Sequence, residues 1–183
     1  MKRVLVLVAP GFEEIETITV IDILRRANIE VVSAGIEPGE ITGSRKIKIV
    51  PDVQLNKVVN DENFDMIVLP GGMPGTTNLK KDESVKKIIQ RMYKQGKYTS
   101  AICAAPTVLS AIGLTAGKNI TSHPSVKNEL QNESYKEDRV VVDGQIITSR
   151  SPGTAMEFAM KLVEILVGKE MVEEINKGVM ARL

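Results

Sequence analysis

The sequence predicts an open, mostly parallel β-sheet covered by helices on both faces, a three-layer α/β arrangement. Three observations carry this. Val4 to Ala9 reads VLVLVA and Met66 to Leu69 reads MIVL, continuously apolar runs of the kind that central parallel strands need when both faces are covered. Segments with apolar residues at helical spacing separate such runs. The alternation continues through most of the 183 residues with no internal repeat, low-complexity stretch or linker, so a single domain spanning 1–183 is expected.

Each element follows from its own residues. After the first strand, Val4 to Ala9, the segment Glu14 to Ala27 places Ile15, Ile18, Ile21 and Leu24 at helical intervals, and Asn28 is a plausible stop. Ile29 to Ala34 reads as the next strand, Arg45 to Val50 as another, and Met66 to Leu69 as a short buried one ending at Pro70-Gly71-Gly72. Asp82 to Gln95 is an amphipathic helix with Val85, Ile88, Ile89 and Met92 inward. Tyr98 to Ile102 is a strand, Ala104 to Ile112 a helix, and Ile120 to Ser122 a brief strand before His123-Pro124. Val140 to Val142 and Ile146 to Thr148 flank Asp143-Gly144, a hairpin signal. Pro152 suits a first helical turn, the helix runs to Val167 before Gly168, and a last short helix covers Met171 to Lys177.

Composition excludes several functions. A formal net charge of +1 creates no strong pull toward nucleic acid or anionic membrane, so neither is expected as a partner. One cysteine cannot form an internal disulfide, and one cysteine with one histidine argues against a zinc site of the usual kind. A reducing cytoplasm is the natural compartment. Met1-Lys2-Arg3 resembles the start of a signal peptide, but the apolar run after it stops at Pro10-Gly11 and meets Glu13, Glu14 and Glu16. It is read as a strand, too short to span a bilayer.

In an open α/β sheet, ligands bind beyond the carboxyl ends of the strands. Three unusual segments fall at such ends: Pro10 to Glu16, Pro70-Gly71-Gly72 and Cys103-Ala104-Ala105-Pro106. Cys103 follows a strand and precedes a helix, so a tight turn there can display its side chain as a nucleophile elbow does. Backbone N–H groups at the helix start would favour the thiolate. The plainer reading is a buried, inert small hydrophobe. Glu13, Glu14 and Glu16 can simply complement a helix dipole. Glu16, between Ile15 and Ile18 near the apolar stripe, can instead stay protonated beside a sulfur and hydrogen-bond to it. Gly71-Gly72 is a tight turn or an amide offered to an oxyanion. His123 is either structural or faces the same cleft.

These residues resemble the ThiJ/PfpI superfamily, and within it the branch of the Parkinson-disease-associated deglycase, the DJ-one family. The likeness runs through Glu13-Glu14-Ile15-Glu16-Thr17, Leu69-Pro70-Gly71-Gly72 and Ala101 to Thr107, then Thr121-Ser122-His123-Pro124 and Thr148 to Thr154, five motifs in order. The resemblance implies a flavodoxin-like, class I glutamine amidotransferase-like sandwich and a homodimer. It implies Cys103 as nucleophile, Glu16 as the carboxyl bonded to it, His123 as a nearby histidine, and the N–H groups of Gly72 and Ala104 as oxyanion donors. It places Arg26 and Arg45 at the dimer contact and implies no cofactor. Protease-like members carry His directly after the cysteine, where this chain has Ala104, which counts against peptidase activity. Amidotransferases need a His-Glu pair late in the chain, and the only histidine is His123.

The function implied is a cysteine-dependent enzyme acting on a small aldehyde or dicarbonyl, methylglyoxal for example, as a glyoxalase or deglycase. The alternative is a redox-sensing or chaperone-like stress protein that uses oxidation of Cys103. With one cysteine, no mechanism through an internal disulfide is open to it.

Overall fold

The computed structural model describes residues 1–181. In chain order the elements are β1 Arg3–Val8, α1 Glu14–Arg26, β2 Glu30–Gly35, β3 Ile41–Thr42, β4 Lys48–Ile49, β5 Val53–Gln54, β6 Met66–Leu69, α2 Gly75–Lys81, α3 Glu83–Lys94, β7 Tyr98–Ile102, α4 Pro106–Ala111, β8 Asn119–Ile120, β9 Ser134–Tyr135, β10 Val140–Asp143, β11 Ile146–Ser149, α5 Ala155–Val167 and α6 Lys169–Val179. Seven strands form the main sheet in the order β10-β11-β7-β6-β1-β2-β5. All pairings are parallel except the hairpin β10–β11 at one edge. The expected three-layer sandwich is therefore present.

Alternation along the central strands divides the core. Val4 and Val6 of β1, with Met66 and Val68 of β6, face α1, α5 and α6. Leu5 and Leu7, with Ile67 and Leu69, face α2, α3 and α4. A two-residue side-chain period places successive residues on opposite faces, so a strand covered on both sides must be apolar throughout. The inward row of α3, Val85, Ile88, Ile89 and Met92, is as the spacing predicts.

Five details differ from the sequence reading. Arg45 to Val50 is not a strand of the sheet. Only Lys48–Ile49 is extended, and it pairs antiparallel with Ile41–Thr42 in a separate ribbon. The left-handed turn at Lys46 (φ 73°) breaks the run, and β5 takes the sheet edge instead. The strand at Ile120 likewise leaves the main sheet, pairing with Ser134–Tyr135. The helix after Cys103 begins at Pro106, because Cys103 itself is left-handed (φ 66°). Helix α2 was not anticipated, since Pro74-Gly75-Thr76-Thr77 reads as a turn. Finally, α1 is rotated so that only the Leu24 end of the expected apolar row is fully buried. Thr17, Val20, Ile23 and Leu24 are buried with Glu16, while Ile15 and Ile18 are 57% and 45% exposed.

Candidate active site

The sheet order sets the site. The chain leaves β1 for β2 on one side and later returns to β6 on the other, so β1 and β6 straddle the topological switch point. Beside β6 lies β7. The segments that follow these three adjacent strands carry Glu13 and, in the first turn of α1, Glu16, then Gly71 and Gly72, and Cys103.

Cys103 occupies the first residue past β7. A left-handed backbone costs a non-glycine residue about 1–2 kcal/mol. Two hydrogen bonds hold it there: its N–H donates to the Ser149 carbonyl (3.0 Å), and its own carbonyl accepts from the His123 N–H (2.8 Å). The strain and the clamp together lift the side chain out of the strand's alternation and into the cleft, half-buried. The amides of Ala104 and Gly72 lie close enough to the sulfur to favour its thiolate.

Glu16 enters from α1. Glu13 caps that helix, its Oε2 accepting from the Glu16 N–H at 2.8 Å, and this orients the first turn. The Glu16 side chain is fully buried, and its Oε2 accepts from the Gly71 N–H at 2.7 Å. Its Oε1 has no partner of full hydrogen-bond geometry, and the neighbouring polar group is the Cys103 thiol. Gly71 is what permits this approach. A Cβ there would lie 2.7 Å from the Cys103 Cβ and 2.9 Å from Glu16 Oε2.

Burial pushes the Glu16 carboxyl up to about 7, against the Gly71 amide and the thiol, with the nearby Glu13 charge adding to the rise. The thiol is pushed up to about 12, first by burial and then by the charge and hydrogen bond of Glu16, against the Ala104 and Gly72 amides. The amides favour the thiolate as expected, but burial and Glu16 outweigh them. The two groups titrate as a pair. The pair gives up one proton near 7 and holds the other far into the alkaline range. Between these limits one proton is shared, and a carboxylic acid beside a thiolate is one of its two placements. In that form two amides face the anionic sulfur.

The sulfur opens into a cleft of about 280 Å³ lined also by Glu13, Ser44, Arg45, Met73, His123 and Ser125. Glu14 positions the Ser44-Arg45 edge. Its buried carboxylate accepts from the Ser44 hydroxyl (3.0 Å) and the Arg45 N–H (2.6 Å). These hydrogen bonds, with that from Ile47, hold the carboxyl below its usual range although burial opposes them. His123 Nδ1 accepts from the Ser125 N–H (3.2 Å) and lies 2.7 Å from the Ser125 hydroxyl, which leaves the proton of a neutral ring on Nε2.

The structure thus gathers Cys103, Glu16, Gly72, Ala104, His123 and Arg45 about one cleft. Arg26 does not join them. It is exposed at the end of α1 and pairs with Asp22 at 2.8 Å. Sequence reasoning missed Ser44, Met73 and Ser125 as lining residues and Glu14 as an anchor. Only Ser125 had a signal, its place just after His123-Pro124. Among the described residues there is no cluster of three acids, histidines or cysteines able to hold a metal ion, and no helix long and apolar enough to cross a membrane.

Fold and site together describe an α/β protein with its cysteine on a strand-to-helix turn at the sheet's carboxyl edge. Comparison with known proteins narrows that class. The model of the DJ-1/PfpI family matches residues 2–165. Protein dj-1beta of Drosophila melanogaster is 47% identical over 182 residues, 98% of this chain and 97% of its own. The crystal structure of Drosophila melanogaster DJ-1beta superposes with a TM-score of 0.96 at 45% identity, covering 100% of this chain and 99% of that one. A Caenorhabditis elegans relative named glutathione-independent glyoxalase DJR-1.2 is 40% identical over 179 residues, 96% of this chain and 95% of its own. The chain belongs to the DJ-1/PfpI family, as its five motifs implied.

Proposed function

We propose that the protein is a cofactor-independent glyoxalase that converts small 2-oxoaldehydes such as methylglyoxal into 2-hydroxy acids. One observation carries the reading: a half-buried thiol at the floor of a small cleft has a fully buried carboxyl beside it and the Gly72 and Ala104 amides close by. The name of the nematode relative supports it.

The thiolate of Cys103 adds to the aldehyde carbon. A C–S bond forms, the carbonyl π pair becomes an alkoxide, and the Gly72 and Ala104 amides stabilise it. The Glu16 carboxylic acid gives its proton to that oxygen. As a carboxylate it then takes the proton on the same carbon and returns it to the adjacent ketone carbon, while the proton on the first oxygen passes to the ketone oxygen, leaving a thioester beside a hydroxyl. The aldehyde carbon is thereby oxidised and the ketone carbon reduced, with no outside electron carrier. Water cleaves the resulting thioester, releasing the hydroxy acid and restoring the thiol. His123 lies at the cleft beside these atoms and is assigned to the polar wall that orients substrate. The same chemistry on protein- or nucleotide-bound dicarbonyl adducts would read out as deglycase activity.

The enzyme acts in the cytoplasm as a homodimer in this reading. Ile15 and Ile18 on α1 and Ile47 and Val50 after it are large apolar residues left exposed, Ile47 and Val50 by 55% and 74%. Exposed residues of this kind fit a second copy of the chain. The experiment is lactate formation from methylglyoxal by the wild type, Cys103→Ser and Glu16→Ala. Both variants are expected to lose at least a hundredfold in kcat/KM, about 2.7 kcal/mol of transition-state stabilisation. Wild-type rates in both would remove the mechanism.

A further inference from the structure

His123 is the protein's one histidine, and its ring is held at one nitrogen only. It caps the short turn Pro124–Glu129, where Nδ1 accepts from the Ser125 N–H at 3.2 Å and meets the Ser125 hydroxyl at 2.7 Å. An amide N–H can only donate, so Nδ1 offers its lone pair there and carries no proton. The hydroxyl is then a second donor to Nδ1, and the proton of the neutral ring sits on Nε2. Among the described residues Nε2 makes no hydrogen bond, and it is not sealed from solvent.

The turn that carries this pair is fixed against the nucleophile. The His123 N–H donates to the Cys103 carbonyl at 2.8 Å, and the Val126 N–H returns to the His123 carbonyl at 3.1 Å. At the far end Glu129 pairs with Lys80 of α2 at 2.9 Å, beside a second cavity of about 160 Å³ that Met73 and Val126 line. His123 and Ser125 both line the cleft with Cys103, Gly72 and Ala104. In the reaction above, the Gly72 and Ala104 amides serve the oxygen on the carbon that sulfur attacks. The neighbouring ketone oxygen needs a donor of its own. When Glu16 takes the C–H proton, the C–H electron pair becomes a C=C bond and the ketone π pair moves onto that oxygen. A donor placed there stabilises charge that the ground state lacks.

We infer that Ser125 is a positioning residue, which holds His123 in the tautomer and orientation whose Nε2–H hydrogen-bonds the ketone oxygen of a 2-oxoaldehyde. This deepens the glyoxalase reading of the cleft and rests on it. With its proton on Nδ1 the ring would turn a lone pair toward the oxygen and repel it. His123 is a fixed donor here, not a base. Nε2 keeps its proton throughout, and the proton that ends on the ketone oxygen is the one released by the first oxygen.

The test begins with Ser125→Ala, a change at an exposed position that the fold tolerates. With methylglyoxal it should lower kcat about tenfold and leave KM within about twofold, because the lost contact acts on charge that develops after binding. Ser125→Thr keeps the hydroxyl and should restore the rate. In a His123→Ala background, Ser125→Ala should change nothing further. A second measurement needs no turnover. Iodoacetamide leaves a carbonyl on the carbon next to the one that Cys103 attacks, where the ketone of the substrate would stand. With a single histidine, nitrogen-15 NMR reads its ring without ambiguity. In the alkylated wild type Nδ1 should appear as an acceptor and the Nε2 proton should move downfield, and in Ser125→Ala that movement should be lost. A proton on Nδ1, wild-type kcat in Ser125→Ala, or a further tenfold loss in the His123→Ala background overturns the inference. Absent methylglyoxal turnover with a downfield movement that depends on Ser125 overturns the glyoxalase reading and supports the positioning role.

Discussion

Cys103 and Glu16 meet because Gly71 has no side chain. The distance from a hypothetical Cβ to the Cys103 Cβ, 2.7 Å, leaves no room for even a methyl group. Gly71→Ala is therefore expected to separate the pair and lower kcat/KM for methylglyoxal by about a hundredfold. The check is steady-state kinetics on a variant whose circular dichroism shows it folded. The shared proton has its own signature. Removing the pair's first proton opens the thiolate form, so alkylation of Cys103 should rise through a limb near pH 7. Glu16→Gln keeps the shape but has no proton to lose, and the limb should vanish. A wild-type profile with only an ordinary thiol limb near 8.5 would contradict the coupling.

At the scale of elements, α1 has two tasks on opposite sides. Its inner face delivers Glu16 to the cleft along with Val20, Ile23 and Leu24 in the core. Its outer face leaves Ile15 and Ile18 in solvent. The double substitution Ile15→Glu with Ile18→Lys should turn a dimer into a monomer in light scattering and leave the fold intact, since neither side chain is buried. A wild type that is already monomeric at micromolar concentration would dispose of the interface. Glu14, next to the helix cap, ties the 44–47 turn to α1. Glu14→Ala strands the donors it satisfies and should cost roughly 1–3 kcal/mol in denaturant unfolding. It should raise KM more than it lowers kcat, because Ser44 and Arg45 line the cleft without touching the sulfur-carboxyl pair.

For the molecule as a whole, a buried carboxyl held up near 7 makes folding stability depend on pH. Unfolded, Glu16 titrates near its ordinary 4.5. The folded state binds the proton more tightly. The stabilisation from it is complete below 4.5 and is lost as pH rises through 7, at up to about 1.4 kcal/mol per pH unit. The difference in unfolding free energy between Glu16→Gln and wild type should therefore grow from pH 4.5 to pH 7 in favour of the variant. A constant difference would show that Glu16 is ionised in the fold at all these values. The same contrast of local and global marks what was legible beforehand. The apolar runs of β1 and β6 announced a sheet covered on both faces, and the segments after β1, β6 and β7 announced where the site lies, because both are carried by residue type and order. Arg45 to Val50 misled because its β-favouring residues say nothing of Glu14, a distant residue whose carboxylate shapes the turn. Ile15 and Ile18 misled because spacing reveals that a helix has faces, not which face the sheet receives. By itself the sequence determined the layers, the site segments and the family. Only the tertiary structure decided which side of α1 is buried, that Glu16 and Cys103 meet at Gly71, and that a second cavity lies beside Met73, because each depends on the packing of residues far apart in the chain.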